Sequence, residues 1–177
     1  MKSNNFARIL SFVAMLSFAH LIHMTSARAE QIRIVALGAS DLNGRYLQGS
    51  SWAVQLERML RAKGYDVSIS VNAVAGITSA GVLSMVDAVP RGTRVVVFSN
   101  GGSNDIAKGI PRSTLVSNTG AIMRGIRARG AVPIRVNPTT LPGQYRQADN
   151  LHLTAQGNAV LASHVLPQVI AALGKSR

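Results

Sequence analysis

Cysteine is absent from this 177-residue sequence, and acidic residues are few. Without cysteine the chain can form neither disulfide bonds nor a cysteine-ligated zinc site. Seven Asp and Glu residues stand against 19 Lys and Arg residues, which gives a formal net charge of +12. The basic residues are dispersed, and no basic run is interleaved with aromatic side chains. The composition therefore predicts no nucleic-acid partner, although it allows a weak attraction to anionic envelope surfaces.

The N-terminal segment has the pattern of a secretory signal peptide. A positively charged start is followed by a mostly apolar run over residues 9–22 and by a small-x-small sequence that ends at Ala29. The apolar run is short for a membrane span, which needs about 20 residues. We therefore expect a signal peptide over residues 1–29 and a single domain over residues 30–177. This domain would be periplasmic or extracellular, with no transmembrane segment in the mature chain.

Beyond residue 29, segments typical of strands alternate with segments typical of helices. Short runs rich in β-branched residues predict strands at residues 32–37, 65–71, 93–98 and 132–136. Apolar residues at helical spacing predict helices at residues 52–63, 78–89, 114–129 and 154–173. Such alternation implies crossover connections and a parallel sheet that is covered on both faces. We expect a three-layer α/β/α sandwich with a four- to five-stranded parallel sheet, and a site at the carboxyl ends of its strands.

Small and polar residues follow the first three predicted strands. Ser40 comes after the first strand in the sequence Gly-Ala-Ser-Asp, where its hydroxyl could face a crevice. Gly76 follows the second strand, where the lack of a side chain would let a backbone N–H approach a ligand oxygen. Asn104 follows the third strand in the sequence Gly-Gly-Ser-Asn-Asp. Each segment alone is also typical of an ordinary turn.

Histidine occurs only four times, which limits where a general base can be. His20 and His23 belong to the predicted signal peptide, and His164 lies within a predicted helix. His152 follows Asp149 by three residues, so the carboxylate could orient the ring while the other ring nitrogen takes a proton from a serine. His152 is therefore the best candidate for a base, although an isolated D-x-x-H sequence is often incidental.

Together these segments resemble the SGNH, or GDSL-type, hydrolase family, in its thioesterase, lysophospholipase and arylesterase branch. The turn at Ser40 is similar to the family's nucleophile block, the segment ending at Gly76 to its glycine block, and the residues around Asn104 to its G-x-N-D block. Asp149 and His152, followed by Leu-Thr, match its D-x-x-H block. The resemblance extends over nearly the whole predicted domain. It implies the flavodoxin-like SGNH hydrolase fold and the hydrolysis of carboxylic esters or thioesters.

The resemblance also implies a role for each of these residues. Ser40 would attack an acyl carbonyl, His152 would take the serine proton, and Asp149 would hold His152 in the useful tautomer. The oxyanion hole would consist of the backbone N–H groups of Ser40 and Gly76 and the side-chain amide of Asn104. No metal or other cofactor is implied. The substrate would be a small acyl ester or an ester of a lipid or glycan.

Two features depart from the family pattern. The family usually has Asp and Leu where this chain has Ala39 and Asp41. Ala39 removes an acceptor that would brace the turn, and Asp41 adds a carboxylate that would disfavour anionic substrates. The segment over residues 137–148 is also shorter than in relatives of this branch, which predicts a more open acyl pocket.

Three functions remain open at this level. The leading hypothesis is an exported esterase that works through an acyl-enzyme on Ser40. The alternatives are a carbohydrate O-acetylesterase of the same family and a non-catalytic cationic module that binds the cell envelope. The presence of all five site residues argues against the binding module, which would need none of them.

Overall fold

The computed structural model describes residues 30–43 and 50–174, so the predicted signal peptide lies outside the described residues. Within the described part, four strands alternate with five α-helices. The strands are β1 (Ile32–Gly38), β2 (Val67–Ala73), β3 (Val95–Phe98) and β4 (Val132–Arg135). The helices are α1 (Trp52–Ala62), α2 (Ser79–Ser84), α3 (Gly102–Ala107), α4 (Arg112–Ala128) and α5 (Ala155–Gly174).

All four strands are parallel and lie in the order β2–β1–β3–β4. Leu37 of β1 pairs with Asn72 of β2 and with Phe98 of β3, and Phe98 pairs in turn with Arg135 of β4. The carboxyl ends of all four strands therefore meet at one edge of the sheet. This arrangement confirms the predicted α/β fold, with four strands in the sheet.

Two apolar clusters cover the two faces of the sheet. Ile34 and Ala36 pack with residues of α1 and α5 on one face, whereas Val35 and Leu37 pack with residues of α2 and α4 on the other. Successive residues of a strand point to opposite faces, so β1 divides its side chains between the two clusters. Because both faces are covered, the central strands consist of continuous apolar runs, the pattern by which they were predicted.

Two helical segments differ from the prediction. The region predicted as one helix over residues 78–89 divides into α2 and a short 3-10 turn at Val86–Ala88. The Ser84 hydroxyl donates to the carbonyl oxygen of Gly81 at 2.7 Å, a side-chain bond of the kind that competes with the helical ladder. Helix α3 was expected to be a loop, because its glycine and polar residues lack apolar periodicity. It begins after Gly101, whose φ of +68° turns the chain out of β3.

Helix α5 is the one described helix that is long and apolar enough to cross a membrane by length and composition. Several of its residues are buried in the domain, as expected for a core helix: Gly157, Asn158, Leu161, Ala162, Val165, Val169 and Ala172. The helix begins as predicted, since the Thr154 hydroxyl accepts the N–H of Gly157 at 3.0 Å. Pro167 lies within its continuous span.

Candidate active site

Ser40 lies just beyond β1, in a single helical turn. The N–H groups of Leu42 and Asn43 both donate to the carbonyl oxygen of Ala39, at 3.1 Å each. The N–H of Ser40 has no acceptor within residues 30–43 and 50–174, as expected for the first residues of a helical turn. The half-buried Ser40 hydroxyl faces a pocket at the carboxyl edge of the sheet.

A continuous hydrogen-bonded chain joins Ser40 to His152 and Asp149. The Nε2 atom of His152 lies 2.9 Å from the Oγ of Ser40, and its Nδ1 lies 2.5 Å from the Oδ2 of Asp149. The pKa of Asp149 is lowered from 3.8 to about 2. The largest cause is the bond to the His152 side chain, and the backbone N–H groups of Leu151 and His152 add smaller effects. An ionised Asp149 favours a proton on Nδ1, which leaves Nε2 free to accept the serine proton.

The loop that carries His152 is held in place by its neighbours. Gln147 donates two bonds within it: its N–H donates to the carbonyl oxygen of His152 and its side-chain amide to that of Leu153, each at 2.8 Å. Asn150 takes a positive φ of 55°, which asparagine tolerates better than most residues. The guanidinium of Arg146 donates to the Thr139 carbonyl oxygen at 2.8 Å. The short segment before Asp149 therefore braces the histidine loop.

The predicted oxyanion donors differ in their placement. Asn104 lines the pocket together with Ser40 and His152, and its Nδ2 donates to the carbonyl oxygen of Ile77 at 2.8 Å. This bond fixes the amide group and uses one of its two hydrogens, so the second remains available. Gly76, by contrast, is not among the residues that line the pocket. Its place in an oxyanion hole therefore stays a prediction.

The turn that contains Gly76 is nevertheless well defined. The N–H of Ile77 donates to the carbonyl oxygen of Val74 at 3.2 Å, and Gly76 has a φ of +75°, which a type II turn requires at its third residue. The Gly76 carbonyl oxygen accepts from the Nζ of Lys108 at 3.0 Å. A Cβ on Gly101 would lie 2.7 Å from the carbonyl oxygen of Ile77, so the loop after β3 packs directly on this turn.

Asp41 makes contacts in the site that its place in the sequence did not reveal. Its Oδ1 accepts from the N–H of Ala39 at 3.1 Å and from the Ser99 hydroxyl at 2.9 Å, and its Oδ2 accepts from the indole N–H of Trp52 at 3.0 Å. Burial raises the pKa of this carboxyl above its ordinary value, against the opposing effect of these bonds. Asp41 thus supplies the brace that Ala39 was expected to remove, and it ties the Ser40 turn to α1 and to the end of β3.

We expect the substitution Asp41→Ala to lower kcat by about 10- to 100-fold, since small displacements of a nucleophile are costly. It should also lower the free energy of unfolding by about 1–3 kcal/mol, because the buried donors of Trp52 and Ser99 lose their acceptor. Asp41→Asn should retain more of the activity and more of the stability than Asp41→Ala, since its amide oxygen can still accept the N–H of Ala39. Steady-state kinetics and thermal unfolding measure the two effects.

The exposed Asp66, which accepts a bond from Gln31 away from the pocket, provides the matched control. Asp66→Ala should leave kcat close to the wild-type value. A loss of stability in Asp41→Ala with an unchanged kcat would mean that Asp41 serves the fold alone and does not position Ser40.

The pocket around Ser40 has a volume of about 180 Å³. Its wall combines apolar and polar side chains, which include Ile106, Leu115, Leu151, Asn100, Ser103, Arg135, Asn137 and Thr139. Ile106 is 76% exposed, an unusual degree for an isoleucine, and Leu151 is 43% exposed. A small mixed pocket of this kind can hold an ester whose acyl or alcohol part is partly apolar.

No family model matches the sequence, and no curated protein matches it. Solved structures do match its fold. A crystal structure of TesA is 22% identical with a TM-score of 0.68, covering 79% of this chain and 99% of TesA. The psychrotrophic esterase EstA from Pseudoalteromonas sp. is 18% identical with a TM-score of 0.65, covering 81% of this chain and 99% of EstA.

AlinE4, an SGNH-hydrolase family esterase, is 22% identical with a TM-score of 0.53, and the match covers 81% of this chain and 97% of AlinE4. At this level of identity the likeness establishes the fold. The chain therefore has the SGNH hydrolase fold that its sequence predicted.

Proposed function

We propose that this chain hydrolyses carboxylic esters through an acyl-enzyme on Ser40. The observation that carries the proposal is the hydrogen-bonded chain from Ser40 through His152 to Asp149. Ser40, at one end of this chain, faces an open pocket. Serine, histidine and an ionised carboxylate in this order are the arrangement that activates a hydroxyl for acyl transfer.

In the proposed reaction, the Ser40 Oγ forms a bond to the acyl carbon while His152 Nε2 takes the hydroxyl proton. The tetrahedral intermediate then expels the alcohol, which receives that proton from His152. Water attacks the resulting acyl-enzyme in the same way and releases the acid. Asp149, with a pKa of about 2, stays ionised throughout and stabilises the transient imidazolium.

The negative oxygen of the intermediate needs donors that are in place before the reaction. Two donors beside the pocket can serve this oxygen: the N–H of Ser40, which has no acceptor among the described residues, and the second amide hydrogen of Asn104. We expect Asn104→Ala to lower kcat by about 100- to 1,000-fold with a small change in KM, because this donor acts on charge that develops in the transition state. Steady-state kinetics on one activated ester measure the changes in kcat and KM separately.

Asn118 offers a matched control, because its Nδ2 donates a 2.8 Å bond to the Ser79 hydroxyl without lining the pocket. Asn118→Ala should keep kcat near the wild-type value. If Asn104→Ala raises KM and leaves kcat unchanged, Asn104 binds the ground-state substrate instead of the oxyanion.

Pocket size supports a small substrate. Its volume of about 180 Å³ is below the roughly 300–1,000 Å³ of common ligand sites. We therefore place short-chain acyl esters first. The polar side chains of Asn100, Asn137 and Thr139 in the wall favour a carbohydrate O-acetylesterase as the second candidate, because hydroxyl-rich alcohols need such partners.

The test is hydrolysis of a p-nitrophenyl ester series from acetate to palmitate, with acetylated xylan or chitin oligosaccharides measured beside it. A maximum at acetate or butyrate that depends on Ser40 supports the proposal. Faster release of acetate from the glycan than from p-nitrophenyl acetate would favour the second candidate. No Ser40-dependent release from any ester would refute both.

The proposal includes export after cleavage behind Ala29. Mass spectrometry of the protein recovered outside the cytoplasm tests this directly, since the mature chain should begin at Glu30. Recovery of the uncleaved chain from the cytoplasm would contradict export.

A further inference from the structure

We infer that Arg135 binds an anionic group of the substrate, so that the preferred ester carries a carboxylate or phosphate close to the scissile bond. The inference rests on the proposed ester hydrolysis and adds a substrate class to it. It runs against the sequence-based expectation that Asp41 disfavours anionic substrates.

The sheet places Arg135 at the active-site edge. Arg135 is the last residue of β4 and pairs with Phe98 of β3, which pairs with Leu37 of β1, three residues before Ser40. Adjacent strands lie about 4.8 Å apart, so β4 is about 10 Å across the sheet from β1. The Arg135 side chain lines the same pocket as Ser40 and His152. A substrate held at Ser40 can therefore reach it with a group a few bonds from the ester.

The Arg135 guanidinium has no intramolecular partner within residues 30–43 and 50–174. All seven acidic residues of the sequence fall within these ranges, and none of them pairs with it. The guanidinium of Arg146, by contrast, donates to backbone carbonyl oxygens, and so does that of Arg129. The Arg135 guanidinium thus presents an exposed charge to the pocket and makes no bond to the described residues.

Asp41 is the one acidic residue among the described residues that line the pocket, and it forms no ion pair with Arg135. Both oxygens of Asp41 already accept hydrogen bonds, from Ala39 and Ser99 on one side and from Trp52 on the other. The carboxylate is committed to the Ser40 turn, so the cation at β4 is left for a ligand.

An arginine fork suits the planar or tetrahedral oxygens of carboxylates and phosphates, to which it can donate two hydrogen bonds at once. The exposed apolar side chains of Ile106 and Leu151 line the same pocket and can contact the uncharged part of such an ester. The anionic group could belong to the alcohol or to the acid, and the two cases need separate substrates.

The experiment compares wild-type protein with Arg135→Gln on two matched ester pairs. For a charged alcohol the pair is 3-acetoxybenzoate and 3-acetoxybenzamide; for a charged acid it is the p-nitrophenyl monoester of adipic acid and its methyl ester. Dividing kcat/KM for the charged ester by that for its neutral match removes the intrinsic reactivity. We expect Arg135→Gln to lower this ratio by about 10-fold in one of the two pairs. This is the lower end of the effects known for losing a hydrogen bond between charged groups, because the site is exposed.

Three further measurements make the result specific. Arg127→Gln removes the same charge from the far end of α4, where the side chain is exposed and outside the pocket, and should leave the ratio unchanged. Arg135→Lys should retain part of the preference, because it keeps the charge but loses the fork. The wild-type ratio should fall as salt is added, since an exposed charge pair is screened.

The outcomes separate the inference from the proposed function. A ratio that is the same in wild type, Arg135→Gln and Arg127→Gln, with Ser40-dependent turnover intact, overturns the role of Arg135 and leaves the esterase standing. If the ratio falls equally in Arg135→Gln and Arg127→Gln, the effect is one of net charge, and this outcome also overturns the inference. If neither pair is hydrolysed in a Ser40-dependent way, the proposed function itself fails, and the inference falls with it.

Discussion

Replacing Ser40 with alanine is expected to remove ester hydrolysis, with kcat/KM falling by about 1,000-fold or more. The hydroxyl is the atom that forms the covalent bond, and no other described hydroxyl lies within hydrogen-bonding distance of His152 Nε2 in this pocket. Thermal unfolding should change little, because the side chain of Ser40 is half-buried and its one hydrogen bond to the described residues is with His152. The p-nitrophenyl ester series measures the loss, and thermal melting confirms that the variant is folded.

The chain contains close controls for this result. Ser163→Ala removes an exposed hydroxyl on α5 that donates only to a backbone carbonyl oxygen, and it should keep full activity. His164→Ala should likewise stay active, whereas His152→Ala should lose activity as Ser40→Ala does. Full inactivation by His164→Ala in a folded protein would show that the general base was assigned wrongly.

A phosphonate that labels active serines gives an independent readout. Its mass should appear on the peptide that contains Ser40 in wild type and should be absent from Ser40→Ala. Labelling of another serine, such as Ser99 or Ser103, would contradict Ser40 as the nucleophile even if Ser40→Ala were inactive.

Most of the fold could be predicted from the sequence because its strands are buried on both faces. A strand such as β3 (Val95–Phe98) is fully buried, so its continuous apolar run marks it without any knowledge of its neighbours. The helices with an apolar face were found for a similar reason. Helix α3 (Gly102–Ala107) was missed, since only Asp105 among its residues is buried and the apolar spacing that marks a helix is lacking.

The resemblance to the SGNH family was enough to predict that Ser40, His152 and Asp149 would meet. Ser40 and His152 are 112 residues apart. Ser40 directly follows β1, and the segment after β4 returns His152 to the edge of the sheet where the strands end. The position of Gly76 relative to the pocket depends on how one turn packs, which a spacing rule does not define.

Side-chain partners were the part that the sequence could not supply. Asp41 was a carboxylate beside the nucleophile with no evident partner in the sequence, and the donors that bond to it, Trp52 and Ser99, come from separate parts of the chain. Arg135 looked like one of many dispersed basic residues, and only the strand order places it at the pocket. Both roles depend on contacts between residues that are distant in the sequence.

The second large effect is expected at Asp149, where Asp149→Asn should lower kcat by about 10,000-fold. The amide oxygen can still accept the N–H groups of Leu151 and His152, so the loop should keep its shape. The amide nitrogen, however, donates to His152 Nδ1 and thereby favours the tautomer with its proton on Nε2. This tautomer cannot accept the Ser40 proton. Kinetics near neutral pH, with thermal melting as a check of folding, measure the effect.

The pH dependence separates this electrostatic role from a purely structural one. The pKa of Asp149 is lowered to about 2 in the folded protein, mainly by the bond to His152, from an ordinary value of 3.8. A lowered pKa means that the ionised group favours the folded state at pH above 3.8 and that this contribution is lost as the pH falls towards 2. The melting temperatures of wild type and Asp149→Asn should therefore differ above pH 3.8 and converge as the pH falls towards 2. Equal melting temperatures at neutral pH would mean that the carboxylate charge makes no contribution to the fold, and a kcat of wild-type size in Asp149→Asn would remove Asp149 from the mechanism.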